Sequence, residues 1–226
     1  MKKILFSLLT LSLIVTGCKN QNPLDPTTAN TPESLPDFDY GHVKNNVYTN
    51  TYFDMTMNVP KNWKVQDEEQ VKYLMEKGKE VAAGDNENMK AAVEASTINS
   101  ANLLTVYQFE MGSAVPFNPS LLVIAENVQF APGVKNGSDY LYQARKMIEQ
   151  SQVHYDYLDE EFKREVINGT EFYSMNAEIS NGGTTIHQVY YSTVLKDFSF
   201  SLILSYANDD QKTELLSSLH SMKFKK

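Results

Sequence analysis

The sequence predicts an α+β protein in which helices pack on the faces of an antiparallel β-sheet. Asn168-Gly169 separates two predicted strands, 162–167 and 172–179, and this dipeptide is typical of two-residue hairpin turns. Two longer strands follow at Thr184–Leu195 and Phe198–Tyr206. Segments with helical apolar spacing lie between the strands. Hairpins combined with a few helices favour helices packed against an antiparallel sheet.

The N-terminus has the pattern of a secretory signal, which we predict over residues 1–17. Lys2 and Lys3 precede the apolar run 4–15, and small residues follow it. As a helix this run would be about 18 Å long, whereas a bilayer core is about 30 Å thick. The run is therefore too short for a lasting membrane span.

Val15-Thr16-Gly17-Cys18 resembles the lipobox of bacterial lipoproteins. In that family the cysteine thiol receives a diacylglycerol, the chain is cut just before it, and the new N-terminus is often acylated. The resemblance implies that Cys18 carries the lipid, while Val15, Thr16 and Gly17 form the processing signal. Several acyl chains on one residue would anchor the protein firmly, because a single chain binds a membrane only marginally.

Cys18 is also the only cysteine of the chain. Once it is lipidated, no thiol is left for a disulfide, a thiolate nucleophile or a metal ligand. This usage suits an oxidising compartment. We therefore expect an extracytoplasmic protein of the bacterial cell envelope that is lipid-anchored to a membrane and stabilised by an ordinary core.

The charge of the chain is strongly acidic. The whole chain has 20 basic and 28 acidic residues, and removal of Lys2 and Lys3 with the signal leaves 18 against 28, a net charge of −10. Such a charge argues against nucleic acid as a partner and against electrostatic binding to anionic lipid.

The rest of the chain divides into a linker and one domain. We predict that residues 18–43 form the lipidated N-terminus and a flexible linker, because 19–42 are rich in Pro, Thr and Asn and show no periodicity. Residues 44–226 are predicted to form a single globular domain, which is long enough to bury a good core.

The domain begins with a strand and helices. Residues 52–59 alternate between apolar and polar, which predicts a half-buried strand, and Trp63 is expected to be a core anchor. Asp67 is predicted to cap a helix that ends at Gly84, and Asp85 to start a second one. The segment from Asp85 departs from a calcium loop, because loop positions 6 and 12 hold Lys and Ser instead of Gly and Glu.

The later elements complete the predicted sheet. Strands are expected at 103–109 and 121–128, the second covered on both faces, and a helix from Asn136 to about Gln152. In the strand Phe198–Tyr206 the even-numbered residues are apolar and face one side, whereas three serines and one isoleucine face the other. A last helix is expected from Asp209.

Residues Tyr48–Trp63 resemble the opening of PsbP-like domains, with an aromatic-led strand, Pro60 and then Trp63. The middle helix after Pro132-Gly133 and the closing hairpin with a helix follow the same order of elements. The resemblance implies an antiparallel sheet sandwiched by helices, a PsbP-like α/β/α sandwich. It also implies a binding or assembly module and not a catalyst.

The sequence contains no catalytic motif that would indicate an enzyme. It has no G-x-S-x-G, H-E-x-x-H, Walker A or G-x-G-x-x-G pattern. No pair of its histidines has the spacing of metal ligands, so we expect neither a metal nor a cofactor. His187 is expected to be an ordinary strand histidine, and Asp159-Glu160-Glu161 a solvated loop. A pair of catalytic carboxylates stays open, because such a pair needs only spatial proximity. The four histidines are His42, His154, His187 and His220.

Tyrosine is abundant, with 13 residues. Neighbouring strand residues face opposite sides, so some tyrosines should lie on the surface, where they suit contacts with a partner. The set considered is Tyr140, Tyr142, Tyr155, Tyr157, Tyr190 and Tyr191.

Two functions from different classes fit these observations. The favoured one is a lipid-anchored, non-catalytic binding or assembly module for an envelope protein partner, held to the membrane through the lipid on Cys18. The alternative is a small-ligand binder or hydrolase with a site between the sheet and the helices, which would need a pocket with convergent polar groups.

Overall fold

The structure is a computed structural model that describes Leu35 and residues 37–225. The predicted processing residues Val15, Thr16 and Gly17 and the predicted lipid site Cys18 lie outside the described residues. The elements are, in chain order, β1 (His42–Lys44), β2 (Val47–Asn50), β3 (Met55–Asn58), β4 (Lys64–Val65), α1 (Glu68–Ala83), α2 (Glu87–Asn99), β5 (Ser100–Tyr107), β6 (Ser120–Asn127), α3 (Gly137–Gln150), β7 (Tyr157–Leu158), β8 (Lys163–Ile167), β9 (Thr170–Asn181), β10 (Thr184–Leu195), β11 (Phe198–Tyr206), α4 (Asp209–His220) and β12 (Lys223–Phe224).

The strands form two antiparallel sheets, and helices pack on them, which confirms the predicted α+β class. The large sheet has the order β4-β5-β6-β11-β10-β9-β7, with β8 also paired to β9. The small sheet has the order β1-β2-β3-β12. This division into two sheets was not predicted, because three of the four small-sheet strands lie in segments too short to show an alternating pattern.

Two-residue turns join the main hairpins. Asn168 and Gly169 both have positive φ, at 47° and 89°, which confirms the predicted turn between β8 and β9. Lys196 and Asp197 have φ of 51° and 64° between β10 and β11. Asn45-Asn46 turns the chain from β1 to β2 in the same way, because asparagine tolerates the left-handed region better than most residues.

The large sheet is covered on both faces. We call the face that carries Phe198, Leu202 and Tyr206 the front face and the opposite one, which carries Ile203, the back face. The small sheet and α4 cover much of the front face, whereas α1, α2 and α3 pack on the back face. All residues of β11 are buried, and its even-numbered residues join the front core as predicted.

The helices begin and end within about two residues of the predicted positions, and the second is capped by Asn86 and not by Asp85. Asp67 accepts a hydrogen bond from the Gln70 amide and caps α1, which ends before Gly84. Asn86 caps α2, so the acidic segment after Gly84 starts a helix. Asn136 caps α3. Trp63 is buried, and its Nε1 donates to Glu214 Oε2 at 2.7 Å, so it anchors the core as expected.

Described residues before Lys44 already pack against the domain. The Phe38 ring lies 4.7 Å from the Tyr52 ring and 5.5 Å from the Phe198 ring, and β1 already starts at His42. An isolated aromatic residue shows no periodicity in the sequence, so its packing was missed. The strand predicted over 52–59 starts only at Met55, because residues 51–54 form a turn.

Candidate binding cleft

A polar cleft of about 640 Å³ opens on the front face of the large sheet, at the end where α4 begins. The small sheet leaves this end uncovered. The floor comes from β7, β9 and β10 and from the end of β11, and one wall comes from the start of α4. The lining residues are Tyr157, Asp159, Lys163, Asn176, Ala177, Glu178, His187, Gln188, Tyr206, Ala207, Asn208, Asp209 and Lys212.

Four side chains cross the floor of the cleft in one row. Tyr157 is paired with Glu178, Glu178 with His187, and His187 with Tyr206, each on the neighbouring strand. Directly paired residues of antiparallel strands project from the same face of a sheet. The register therefore brings a phenol, a carboxylate, an imidazole and a second phenol side by side. We call these four residues the cleft row.

The centre of the cleft row is a close contact between an imidazole and a carboxylate. His187 Nδ1 lies 3.2 Å from Glu178 Oε1, and both side chains are partly exposed, at 37% and 41%. The imidazole stacks on the Tyr206 ring, with centroids 5.4 Å apart and planes inclined by 21°. Contacts on two sides hold the imidazole in one orientation while its edge stays open to solvent.

Asp159 holds one end of the cleft row in place. Its Oδ1 accepts from the Tyr157 hydroxyl at 2.7 Å, and its Oδ2 accepts from the backbone amide and side-chain amide of Asn176 at 2.8 and 2.6 Å. Burial by itself would raise the pKa of Asp159, but these hydrogen bonds outweigh it and hold the pKa below its usual value. Asp159 is buried, so the prediction of a solvated loop was wrong at this position. Glu160 and Glu161 are exposed as predicted.

Tyr157 is the most accessible ring of the cleft row. The residue is 50% exposed although its hydroxyl is fixed by Asp159. The hydrogen bond to this carboxylate raises the pKa of Tyr157, so the phenol stays a neutral donor at physiological pH. A ring that is exposed yet held at its tip suits contact with a partner, since little conformational freedom is lost on binding.

The start of α4 adds charges of both signs to the cleft. The Asn208 side chain accepts from the Gln211 amide and caps the helix, which places Asp209 and Lys212 at the cleft wall. Lys212 Nζ lies 5.8 Å from the centroid of the Tyr206 ring. Burial, followed by the charges of Asp209 and Glu178, raises the pKa of Tyr206. The mixture of acidic, basic and aromatic groups favours a polar ligand surface of mixed charge.

The tyrosines considered together in the sequence do not lie together in the structure. Tyr157 lies in the cleft, whereas the equally accessible Tyr142 (44% exposed) belongs to α3 on the back face. Tyr140, Tyr190 and Tyr191 are buried. The expectation that some of these tyrosines lie on the surface is confirmed, but the exposed ones do not form one patch.

Of the four histidines, only His187 lines the cleft. His220 contacts Glu165, and His154 lies near Asp156, outside the cleft. Glu178 and Lys212 were not recognised from the sequence. The tight turn at Gly182-Gly183 was a usable signal for Glu178, because counting back along both strands from that turn places Glu178 opposite His187.

The described residues were compared with the requirements of a nucleophile site, a metal site and a membrane helix. None of the described residues that line the cleft is Ser, Thr or Cys. No cluster of three or more His, Cys, Asp or Glu side chains that could hold a metal ion occurs within residues 37–225. In the same range, no helix is both long and apolar enough to cross a membrane.

No protein-family model matches the chain, and no curated protein matches it. Among solved structures, the chain is similar to LpqN of Mycobacterium tuberculosis, described as involved in cell envelope biogenesis, with 11% identity over 74% of this chain and 78% of that one and a TM-score of 0.39. It is also similar to cyanobacterial PsbP (CyanoP) of Synechocystis sp. PCC 6803, with 14% identity over 82% of this chain and 96% of that one and a TM-score of 0.46. At such identities neither protein's role transfers to this chain.

Proposed function

We propose that the chain is an extracytoplasmic lipoprotein of the bacterial cell envelope and that its domain is a non-catalytic binding or assembly module. Its contact surface for an envelope protein partner is the cleft on the front face. The observation that carries this proposal is the cleft row, in which Tyr157, Glu178, His187 and Tyr206 stand side by side in an open cleft.

The anchor in this proposal is the lipid on Cys18, left at the N-terminus after removal of residues 1–17. It rests on the resemblance of Val15-Thr16-Gly17-Cys18 to a lipobox and on the apolar run before it. The stretch from Cys18 to Phe38 covers about 20 residues, and a flexible chain of that length has an r.m.s. span of about 22–27 Å.

The position of the cleft suits a tethered module. The Phe38 ring, near the start of the described chain, packs on Phe198, the first residue of β11. Tyr206, at the cleft, is the last residue of the same strand. At about 3.4 Å per residue the two ends of β11 are about 27 Å apart. The cleft therefore lies at the end of the domain away from Phe38, which supports a module that is tethered at one end and binds its partner at the other.

A binding role fits the chemistry of the cleft better than a hydrolytic one. The lining residues supply hydrogen-bond donors, acceptors and ring surface, which are the groups that protein interfaces use. A serine or cysteine hydrolase needs a hydroxyl or thiol beside a base. His187 and Glu178 resemble the base and its orienting carboxylate, but no Ser, Thr or Cys is among the described lining residues.

Photocrosslinking in living cells tests this function. A photoreactive phenylalanine derivative at position 157 should give a crosslinked product of discrete mass with one envelope protein. The matched control is the same substitution at position 142, also a half-exposed tyrosine but on the back face. The proposal fails if position 157 gives no product, or if positions 157 and 142 give the same products in equal yield.

A small ligand is the second candidate for the cleft. The observation in its favour is the volume of about 640 Å³, inside the range of roughly 300–1,000 Å³ that is usual for small-molecule sites. A small ligand at saturating concentration would raise the Tm of the isolated domain, because it binds only the folded state. A library of polar envelope metabolites that leaves the Tm unchanged would remove this candidate.

A further inference from the structure

Phe130 is the most exposed large apolar side chain of the described residues. It is 70% exposed and lies at the tip of a turn between β6 and α3. The Ala131 amide donates to the Val128 carbonyl at 2.9 Å and closes this turn. The ring is therefore accessible for a contact outside the domain.

The turn that carries Phe130 is firmly supported. Val128 is buried with Val134 and Tyr140 in a small apolar cluster, against which Ala131 packs. The Gln129 amide donates to Asn127 Oδ1 at 3.0 Å. Phe130 thus lies on a well-supported turn, and its ring can contact another surface without a change in the backbone.

Phe130 lies at the same end of the domain as the start of the described chain. The Val128 amide donates to the Asp197 carbonyl at 2.8 Å, and Asn127 is paired with Phe198. The Phe38 ring packs on the Phe198 ring. Phe38, near the start of the described residues, therefore lies at the same end of the sheet as the Phe130 turn, opposite the cleft.

We propose that Phe130 is a second membrane contact, whose ring inserts into the lipid interface beside the tether. This inference rests on the proposed anchor at Cys18. The occupant is a lipid surface because the stretch from the proposed lipid site Cys18 to Phe38 is only about 20 residues long. As a flexible chain that stretch would have an r.m.s. span of about 22–27 Å, and Phe38 packs at the same end of the domain as the Phe130 turn. The insertion would orient the domain with its cleft directed away from the bilayer.

The contact is apolar and not electrostatic. Lys196, the cation of the adjacent turn, already contacts Asp54 at 3.0 Å, and Asp197 adds a second carboxylate. A surface with this balance of charge gains nothing from anionic lipid. One inserted ring binds weakly alone, but a tether supplies an effective concentration in the millimolar range and makes the contact persistent.

Tryptophan fluorescence tests the contact on the mature chain, residues 18–226, coupled through Cys18 to a maleimide lipid in phosphatidylcholine vesicles. Chemical coupling makes the test independent of natural lipidation, so failure here is distinguishable from failure of the proposed anchor. The natural Trp63 is buried and contributes a constant background. The variant is Phe130→Trp, and the matched control is Phe109→Trp, at the cleft end of the sheet beside Gln108, which contacts α4.

With lipid brominated on its acyl chains, Phe130→Trp should show at least about threefold more quenching than Phe109→Trp, since a ring at the interface lies about 5–10 Å deep. Its emission should also shift to shorter wavelength, and both effects should persist in 1 M salt, roughly the concentration that shortens the Debye length to 3 Å. Equal quenching of the two variants, or none at position 130, would overturn the inference. Quenching that appears only when anionic lipid is added to the vesicles, or that 1 M salt abolishes, would also overturn the inference.

Discussion

Glu178 and His187 face each other across β9 and β10, with Oε1 3.2 Å from Nδ1. The contact is a direct consequence of register, because the two-residue turn at Gly182-Gly183 pairs these positions. The same register adds Tyr206 on one side and Tyr157 on the other. One tight turn thus assembles the centre of the cleft that we propose as the binding surface.

The hydrogen bonds of Asp159 predict a pH-dependent stability. Asp159→Asn should lower the free energy of unfolding by about 1–2 kcal/mol at pH 7, because an NH2 donor replaces one of the two oxygens that accept its three hydrogen bonds. The pKa of Asp159 in the folded protein is below its ordinary value of 3.8. Its contribution is therefore fully present above pH 3.8 and is lost as the pH falls through the lowered folded value.

Urea unfolding of both proteins across this pH range measures the effect of Asp159. The difference between wild type and Asp159→Asn should shrink as the pH falls. Glu160→Gln is the control, because Glu160 is the exposed neighbour and should leave stability nearly unchanged at every pH. A difference for Asp159→Asn that stays constant with pH would show that its charge is not stabilised by these hydrogen bonds.

The buried contact between Tyr140 and Glu126 predicts a loss of stability. The Tyr140 hydroxyl donates to Glu126 Oε2 at 2.7 Å on the back face, and both residues are buried. Tyr140→Phe removes this donor from a buried carboxyl group and should lower the free energy of unfolding by about 1–3 kcal/mol. Tyr142→Phe, on the exposed side of the same helix, should change it by less than about 0.5 kcal/mol. Equal effects in chemical denaturation would contradict the assignment.

The close approach of α3 to β10 predicts that Gly137 cannot be replaced. A Cβ on Gly137 would lie 1.9 Å from the backbone oxygen of Ser192, and backbone atoms cannot move aside without disturbing the sheet. Gly137→Ala should therefore destabilise the domain by about 2–3 kcal/mol or more. Gly133→Ala is the control, since nothing lies within 4 Å of its added Cβ. Thermal unfolding that shows the same Tm for both variants would be inconsistent with this packing.

The proposed anchor predicts a clean separation between lipidation and folding. Cys18→Ala should abolish incorporation of labelled fatty acid and the processing that depends on it, because the thiol is the acceptor in lipoproteins. The domain should keep the Tm of the wild type, since Cys18 precedes the folded part. Metabolic labelling followed by mass spectrometry measures the lipidation and the processing, and thermal unfolding measures the Tm. Labelled fatty acid at the N-terminus of the variant would refute the lipoprotein interpretation.

The sequence predicted the larger features of the fold because they have strong local signals. The structure confirms the predicted alternation in β11, the Asn168-Gly169 turn and the helix caps Asp67 and Asn136. The small sheet was predicted only in part, because its strands have two to four residues and are held by packing on the large sheet. Local pattern cannot show such tertiary stabilisation.

The cleft was harder to predict than the fold, because it depends on contacts between distant parts of the chain. Asp159 lies in an acidic run that suggests solvent, yet Asn176 supplies two hydrogen bonds from a different strand. Lys212 reaches the cleft only because α4 starts beside the end of β11. Neither relationship leaves a periodic signal in the sequence.

The most direct test of the central claim is the yield of the crosslink from position 157 when the polar groups of the cleft are removed. Glu178→Gln and Lys212→Ala together should reduce that yield by at least about fivefold, because two charged contacts to the partner are lost. Stability should change little, because both side chains are on the surface of the cleft. Glu80→Gln and Lys77→Ala on α1 are the matched control pair, an exposed ion pair on the back side of the domain. An unchanged yield with the cleft variants, or an equal loss with the α1 variants, would contradict the cleft as the binding surface.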